Sequence, residues 1–298
     1  HSFPTRRSSD LIACQLQAQD NVKNIKDFSK SYGHNGMCAD NPLSFNKNAA
    51  GGLSNIYNNS QIGLNFVQAS SKITTRTFWS PGPGLPVTLF IADIPNTAQI
   101  EQAYLWWSIS DTTGNDTIGT AFVINPLLDT SAYNAALIGS GPGKCWGDSA
   151  TRNFRADVTP SITGNGNYQI DISHGEWATD GVTLFIIYID TTSTQMGGVI
   201  INDGIIVISS SNTSAYQTLT GINGIDSISN ASAFIIVSDM QDNVDSLYSA
   251  SVNNDISAFS RRFWNFDTIS TLISPNDTSA QFSISNNKND CYDWVVMG

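Results

Sequence analysis

Between Ile100 and Ser110 the chain alternates. Ala103, Leu105, Trp107 and Ile109 share one parity; Tyr104, Trp106, Ser108 and Ser110 share the other. Successive side chains of a strand point to opposite faces, so this spacing predicts a strand over 100–109 with one apolar face and one mixed face. Further short β-type runs at 87–92, 118–124, 168–172, 182–189, 199–201, 205–209, 233–238, 280–284 and 294–297 are separated by clusters of Gly, Pro, Asn, Asp and Ser. The run GVTLFIIYID at 181–190 is apolar on both parities, which predicts a central strand covered on each side. Asn202-Asp203-Gly204, between two apolar triplets, predicts a type I′ hairpin turn. No amphipathic helix stands out, and 131–137 is expected to form a single helical turn. Together these signals predict an all-β fold, a two-sheet antiparallel β-sandwich of jelly-roll-like type.

Along the chain, residues 1–11 read as a translated sequencing adapter, and 12–18 as the remnant of a secretory signal peptide with a cut after Ala18. A rival reading of the same stretch is a lipobox, with Cys14 lipidated. Residues 19–80 are Asn-, Gly- and Ser-rich and read as an extended lead-in that includes short edge strands. The sandwich is expected over 81–298. A loose internal echo divides it into two similar halves, 81–215 and 216–298. In that echo ADVTPSITGNGNYQIDIS followed by DGVTLFIIYID is matched by FDTISTLISPNDTSAQFSIS followed by CYDWVVMG, which aligns Asp157 with Asp267, Tyr168 with Phe282 and the strand at Leu184 with that at Val295. The last of these runs stops at Gly298 inside a buried strand, so a longer chain is expected.

Composition narrows the partners. The 298 residues carry a formal net charge of −11 with 14 Lys and Arg, which disfavours nucleic acid and anionic lipid, both of which call for clustered cations. No apolar run reaches the ~20 residues of a membrane helix, so membrane insertion is not expected. Besides Cys14, the cysteines are Cys38, Cys145 and Cys291. In an exported chain these are disulfide candidates with one thiol left over, and they lack the paired spacing of a zinc site.

Three segments carry a family likeness: LPVTLFIADIPNTAQIEQAYLWWSIS, NFRADVTPSITGNGNYQIDIS, and DGVTLFIIYID with GVIINDGIIVI. Together they resemble an uncharacterised class of bacterial and archaeal surface-protein domains with an IP.GA.I..AYLYW strand, an ADVT..V..G.G.Y.V segment and an AGW.LVVVYE…DG hairpin. The likeness spans roughly 85–298. It implies a β-sandwich near the start of a long secreted or cell-surface, adhesin-like protein, ahead of stalk repeats. It supplies no catalytic residues. Trp106-Trp107 stands where the class has Tyr-Trp, and Gly181-Val182 where it has an aromatic.

The candidate sites follow from these readings. Tyr104 and Trp106, on the mixed face, form either an aromatic platform of the kind that stacks on sugar rings or a surface packed under the lead-in. Trp177 and Trp264 are further candidates for glycan contact. Asp239, Asp242 and Asp245 place three carboxylates in one loop, a candidate Ca²⁺ site without the EF-hand pattern; the loop at 111–116 is a weaker one. His174, Glu176 and Asp180 could serve a hydrolase, but no nucleophile elbow accompanies them. Asp157 is expected to cap its own turn, and Arg152, Arg155, Arg261 and Arg262 to stack on aromatics or pair with carboxylates such as Asp157 and Asp267. The function expected is non-enzymatic: an extracellular or surface domain in adhesion or architecture, touching a glycan or surface protein through loops 111–117, 140–152, 174–180 and 239–245. The alternatives are a carbohydrate-binding module and, more distantly, a hydrolase.

Overall fold

The structure is a computed structural model that describes residues 52–76, 81–111, 117–143, 148–209, 211–222, 227–240, 248–259, 263–286 and 291–298. The stretch expected as a lead-in supplies two long strands, β1 (Leu53–Ile62) and β2 (Leu64–Lys72), each at the edge of a different sheet. They meet at Gly63, where φ is +80° and a Cβ would collide with the Asp190 carbonyl. Only glycine takes that corner without strain. The corner is fastened by Gly63 N–H to Gln195 O at 2.8 Å and Asp190 N–H to Gly63 O at 2.8 Å.

The next seven strands are β3 (Val87–Ile91), β4 (Ala98–Asp111), β5 (Gly119–Ile124), β6 (Thr130–Gly141), β7 (Ala150–Asp157), β8 (Gly166–Ile172) and β9 (Thr179–Asp190). A single helical turn, α1 (Gly175–Ala178), leads into β9. The sheet order is β2-β9-β4-β7-β6-β5-β8-β3. The first half of β6 pairs with β5 and its second half with β7, with an irregularity between Leu137 and Gly139. The sheet thus folds over at β6 into two leaves, β2-β9-β4-β7 and β3-β8-β5-β6. They close on a core that includes Leu89, Leu105, Trp107, Phe154, Ile170 and Leu184.

The chain then repeats itself. β10 (Met196–Ile208), β11 (Ser214–Thr220), β12 (Ser229–Met240), β13 (Tyr248–Val252), β14 (Asp255–Phe259), β15 (Phe263–Ile273), β16 (Ser279–Asn286) and β17 (Tyr292–Met297) form leaves ordered β10-β17-β12-β15 and β11-β16-β13-β14. Adding eight to each strand number of the first unit gives the second. Each unit is an eight-stranded, two-leaf jelly roll; β1 stands outside the repeat and extends the second one beyond β10. The second unit has its own core, with Ile208, Ile235, Val237, Tyr248, Phe282 and Trp294. The echo in the sequence falls on β7-β8-β9 and β15-β16-β17, strands that occupy the same places in their leaves.

The two jelly rolls pack leaf against leaf through a third core, in which Tyr104, Trp106, Phe185 and Ile187 meet Ile201, Phe234, Ile236 and Val296. Phe185 lies 4.9 Å from Phe234 and 4.7 Å from Phe66, ring centre to ring centre. This is why β9 and β17 are apolar on both faces: each is the inner strand of a leaf that has a core on either side. The fold is therefore all-β and antiparallel with sheets packed face to face, as the alternation predicts, and it stacks two such sandwiches into four layers.

Two local expectations are corrected. Asn202-Asp203-Gly204 makes no hairpin: β10 runs straight through it, and its ladder with β17 only shifts between Asp203 and Ile206. Both Asn202 and Asp203 are buried and find partners there, so tertiary bonds override the local turn preference. The stretch 131–137 is strand, not helical turn, because it pairs along β5 and β7.

Candidate functional site

The mixed face of β4 is not a ligand platform. Trp106 is 0% exposed and Tyr104 is buried. The cover is β10 and its neighbours in the second jelly roll, with Tyr57 of β1 at the margin. The Trp106 indole N–H donates to Asp203 Oδ2 at 3.0 Å, and Arg155 Nη1 reaches the same oxygen at 2.6 Å. The Arg155 guanidinium also lies over the Tyr104 ring at 5.5 Å. Burial pushes the Tyr104 hydroxyl up to about 12, with Arg155 opposing. Trp264 is buried as well, against Gly181, and donates to Thr183 Oγ1 at 2.9 Å. Three of the four aromatics expected at a glycan surface are thus ties between the jelly rolls. Trp177, on α1, is 65% exposed. Arg155 pairs with Asp203 rather than with Asp157 or Asp267. Asp157 caps Thr159, accepting its N–H at 3.0 Å, and Asp267 accepts the Tyr248 hydroxyl.

One end of the molecule holds a buried acidic cluster drawn from both jelly rolls. Asp239, at the end of β12, accepts the hydroxyls of Ser110 and Thr151 at 3.0 Å each. Its φ of +63° is unusual for a residue with a side chain, and the two hydroxyls hold it there. Asp293 on β17 is buried, close enough to Asp239 for the two charges to oppose each other. Burial lifts the Asp239 carboxyl to about 6, against the pull of Arg76 and the two hydroxyls. Burial and the neighbouring Asp239 charge raise Asp293 well above the carboxylate range. Arg76 pairs with Asp180 and lies 3.5 Å from Asp148. Burial and mutual repulsion thus favour protonated carboxyls at this end.

Asp239 is therefore an interior residue, 1% exposed. Asp242 and Asp245 lie outside the described residues, as do 112–116, Arg261 and Arg262. Among the described residues, no group of three or more His, Cys, Asp or Glu is placed to hold a metal ion. Of the residues named for a hydrolase, Asp180 is buried on Arg76, Glu176 Oε2 accepts the Leu85 N–H at 3.2 Å, and the His174 ring rests 5.2 Å from that of Phe154. Cys291 is disulfide-bonded; Cys14, Cys38 and Cys145 lie outside the described residues. No described helix is long and apolar enough to cross a membrane.

The ends of β4, β6 and β12 and the starts of β7 and β9 lie together at this acidic end, held by the Asp111–Ala150, Gly141–Thr151 and Ile109–Thr179 pairings and by the Ser110–Asp239 bond. Loops 111–117, 140–152, 174–180 and 239–245 all spring from these ends, and Trp177 stands among them. We found no family model and no curated protein that matches the chain. The opposite end carries a cleft of about 680 Å³ between β10 and β12.

Neither the cleft nor the burial of Asp239 and Asp293 was legible in the sequence. Asp293 sits in a strand whose other residues are apolar, YDWVVM, and that isolated carboxylate was the one available signal.

Proposed function

We propose that the chain is a non-enzymatic, exported surface or secreted domain that works in adhesion or surface architecture, of the adhesin-like class it resembles. The observation that carries the reading is the gathering of five strand ends, which bear four loops, at one end of a double jelly roll, with Trp177 exposed at that end. An exposed Trp is a favoured anchor in binding surfaces. The disulfide at Cys291 supports export, since such bonds persist in oxidising compartments.

The test is retention of protein-coated beads on a glycan array and on panels of bacterial and animal cell surfaces, wild type against Trp177→Ala. Retention that drops roughly tenfold or more in the variant, the loss of ~1.4 kcal/mol or more of binding, supports the reading. Equal retention of both proteins on every surface removes it. Retention confined to glycans favours the carbohydrate-binding alternative.

A further inference from the structure

The acidic end of the molecule presents oxygens that the fold leaves unanswered. Along β12, Phe234 and Ile236 face the central core, while Ile235 and Val237 face the second roll's own core. Ser238 continues the first series and so faces the first jelly roll. Asp293 stands between Tyr292 and Trp294, both in the second roll's core, and faces the first roll as well. Ser238 and Asp293 are partners in the β12–β17 ladder, which sets their side chains next to each other on one face. Asp239 also turns to the first roll, where it meets Ser110 and Thr151, themselves partners in the β4–β7 ladder. Two cross-strand pairs, one from each roll, therefore meet at Asp239.

Two buried oxygens of this group have no partner. Ser238 is 0% exposed and its hydroxyl makes no hydrogen bond; Asp293 is 1% exposed and the same holds for its Oδ2. Native structures rarely bury a polar atom unpaired, and two on neighbouring strands point to a group that bridges them. Protonation does not answer the need, because a proton on Asp293 Oδ2 would be a donor without an acceptor in reach. A bridging water would pair the oxygens but leave the charges of Asp239 and Asp293 opposed. Arg76 acts on Asp239, but it is already paired with Asp180 and lies near Asp148. Among the described residues, no cation acts on Asp293.

We propose that Ser110, Thr151, Ser238, Asp239 and Asp293 form an enclosed calcium site that fastens the two jelly rolls together. All five side chains offer oxygen and none offers nitrogen or sulfur, which is the donor set of a hard cation. The charge of a divalent ion matches that of the two carboxylates. Calcium gives up its waters for protein oxygens more readily than magnesium, which keeps several of them, so an interior site favours calcium. The set holds two carboxylates rather than three or more, and its other oxygens are hydroxyls. Its members come from four strands, β4 and β7 of the first roll and β12 and β17 of the second. They are therefore scattered along the chain and form no calcium motif in the sequence. The site does not depend on the adhesive reading.

The test is the thermal midpoint at about pH 7.5, in EDTA and in millimolar calcium chloride, for wild type, Asp293→Asn and Ser238→Ala. Both substitutions nearly keep the size of the side chain, and each protein is compared with itself, so a variant of altered stability still reads out calcium. Calcium is expected to raise the wild-type midpoint by roughly 4 °C or more. The rise should vanish in Asp293→Asn and fall by about half or more in Ser238→Ala. No rise in the wild type overturns the proposal and leaves a bridging water as the occupant. An equal rise in all three proteins also overturns it, because calcium would then act elsewhere, for instance through Asp242 and Asp245. An equal rise with magnesium chloride overturns the choice of calcium.

Discussion

Asp203 is the residue on which the join between the jelly rolls most depends. It accepts both the Trp106 indole and the Arg155 guanidinium, and its side chain is almost wholly enclosed. Replacing it with Ala would leave a donor and a cation buried without their acceptor, which costs about 2–4 kcal/mol. The same change at exposed Asp157, which removes a turn cap, should cost about 1 kcal/mol. Chemical denaturation of the two variants checks the contrast, and equal losses would show that the Asp203 tie is not special. The acidic end makes a pH prediction. Asp239 titrates near 6 when folded and near 3.8 as an isolated group. Between those values the folded state holds the extra proton, so stability from this site is greatest at low pH and is lost as pH rises through the window. The loss amounts to at most ~3 kcal/mol. Asp239→Asn and Asp293→Asn should therefore compare more favourably with wild type at pH 7.5 than at pH 4. A difference in thermal midpoint that stays constant across that range would refute the raised titration of these carboxyls.

At the level of elements, the strands that the sequence displays are those whose faces differ sharply or are both apolar. β4 and β9 fall where alternation and the doubly apolar run predict them, because burial on one or both sides is written into side-chain type. β6, β7, β11, β13, β14 and β15 were not predicted. TSAYNAALIGSG, SAYQTLT, YSASV and DISAF are rich in Ser, Thr, Ala and Asn, and what makes them strands is the ladder partner, adjacent for β6 and β14 and distant for β11, rather than a contrast between their faces. The turn predicted at 202–204 failed for the converse reason: a local signal of the right kind was outbid by long-range bonds to Asp203. The internal echo located matching strands, the one at Leu184 and the one at Val295, as β9 and β17. By face, Leu184 corresponds to Trp294. Of the candidate sites, the aromatics were visible as residues but not as buried ones, since their cover is a second copy of the same fold. The β1–β2 corner yields an element-scale prediction. Gly63→Val should lower stability by about 2–3 kcal/mol, through the left-handed backbone and the collision with Asp190 O. An unchanged denaturation midpoint would mean that the corner relaxes without loosening either edge strand.

For the whole molecule, the question is whether two jelly rolls with separate cores unfold as one body. Each has enough buried apolar surface to be a folding unit of its own. The third core argues for a single transition, because Trp106, Phe185, Phe234 and Val296 are at most 2% exposed and belong to neither roll alone. Separating the rolls would bring these side chains to water at roughly 1.5–3 kcal/mol each and would break the Asp203 and Asp239 ties. The chain path adds a second coupling: β1 precedes the first roll yet pairs with β10 of the second, so the first roll is held between two segments of its partner. A single calorimetric transition with matching van't Hoff and calorimetric enthalpies is therefore expected of the wild type. Trp106→Ala opens the central core, removing about 3–5 kcal/mol of packing while leaving Trp107 and the two outer cores intact. It should split the transition in two, whereas Trp107→Ala, of similar cost, should destabilise the first roll from within its own core and separate the transitions less. If both variants gave the same single, downshifted peak, the central core would be no more than an extension of the outer ones. The four layers would then act as one sandwich rather than as two rolls joined at a face.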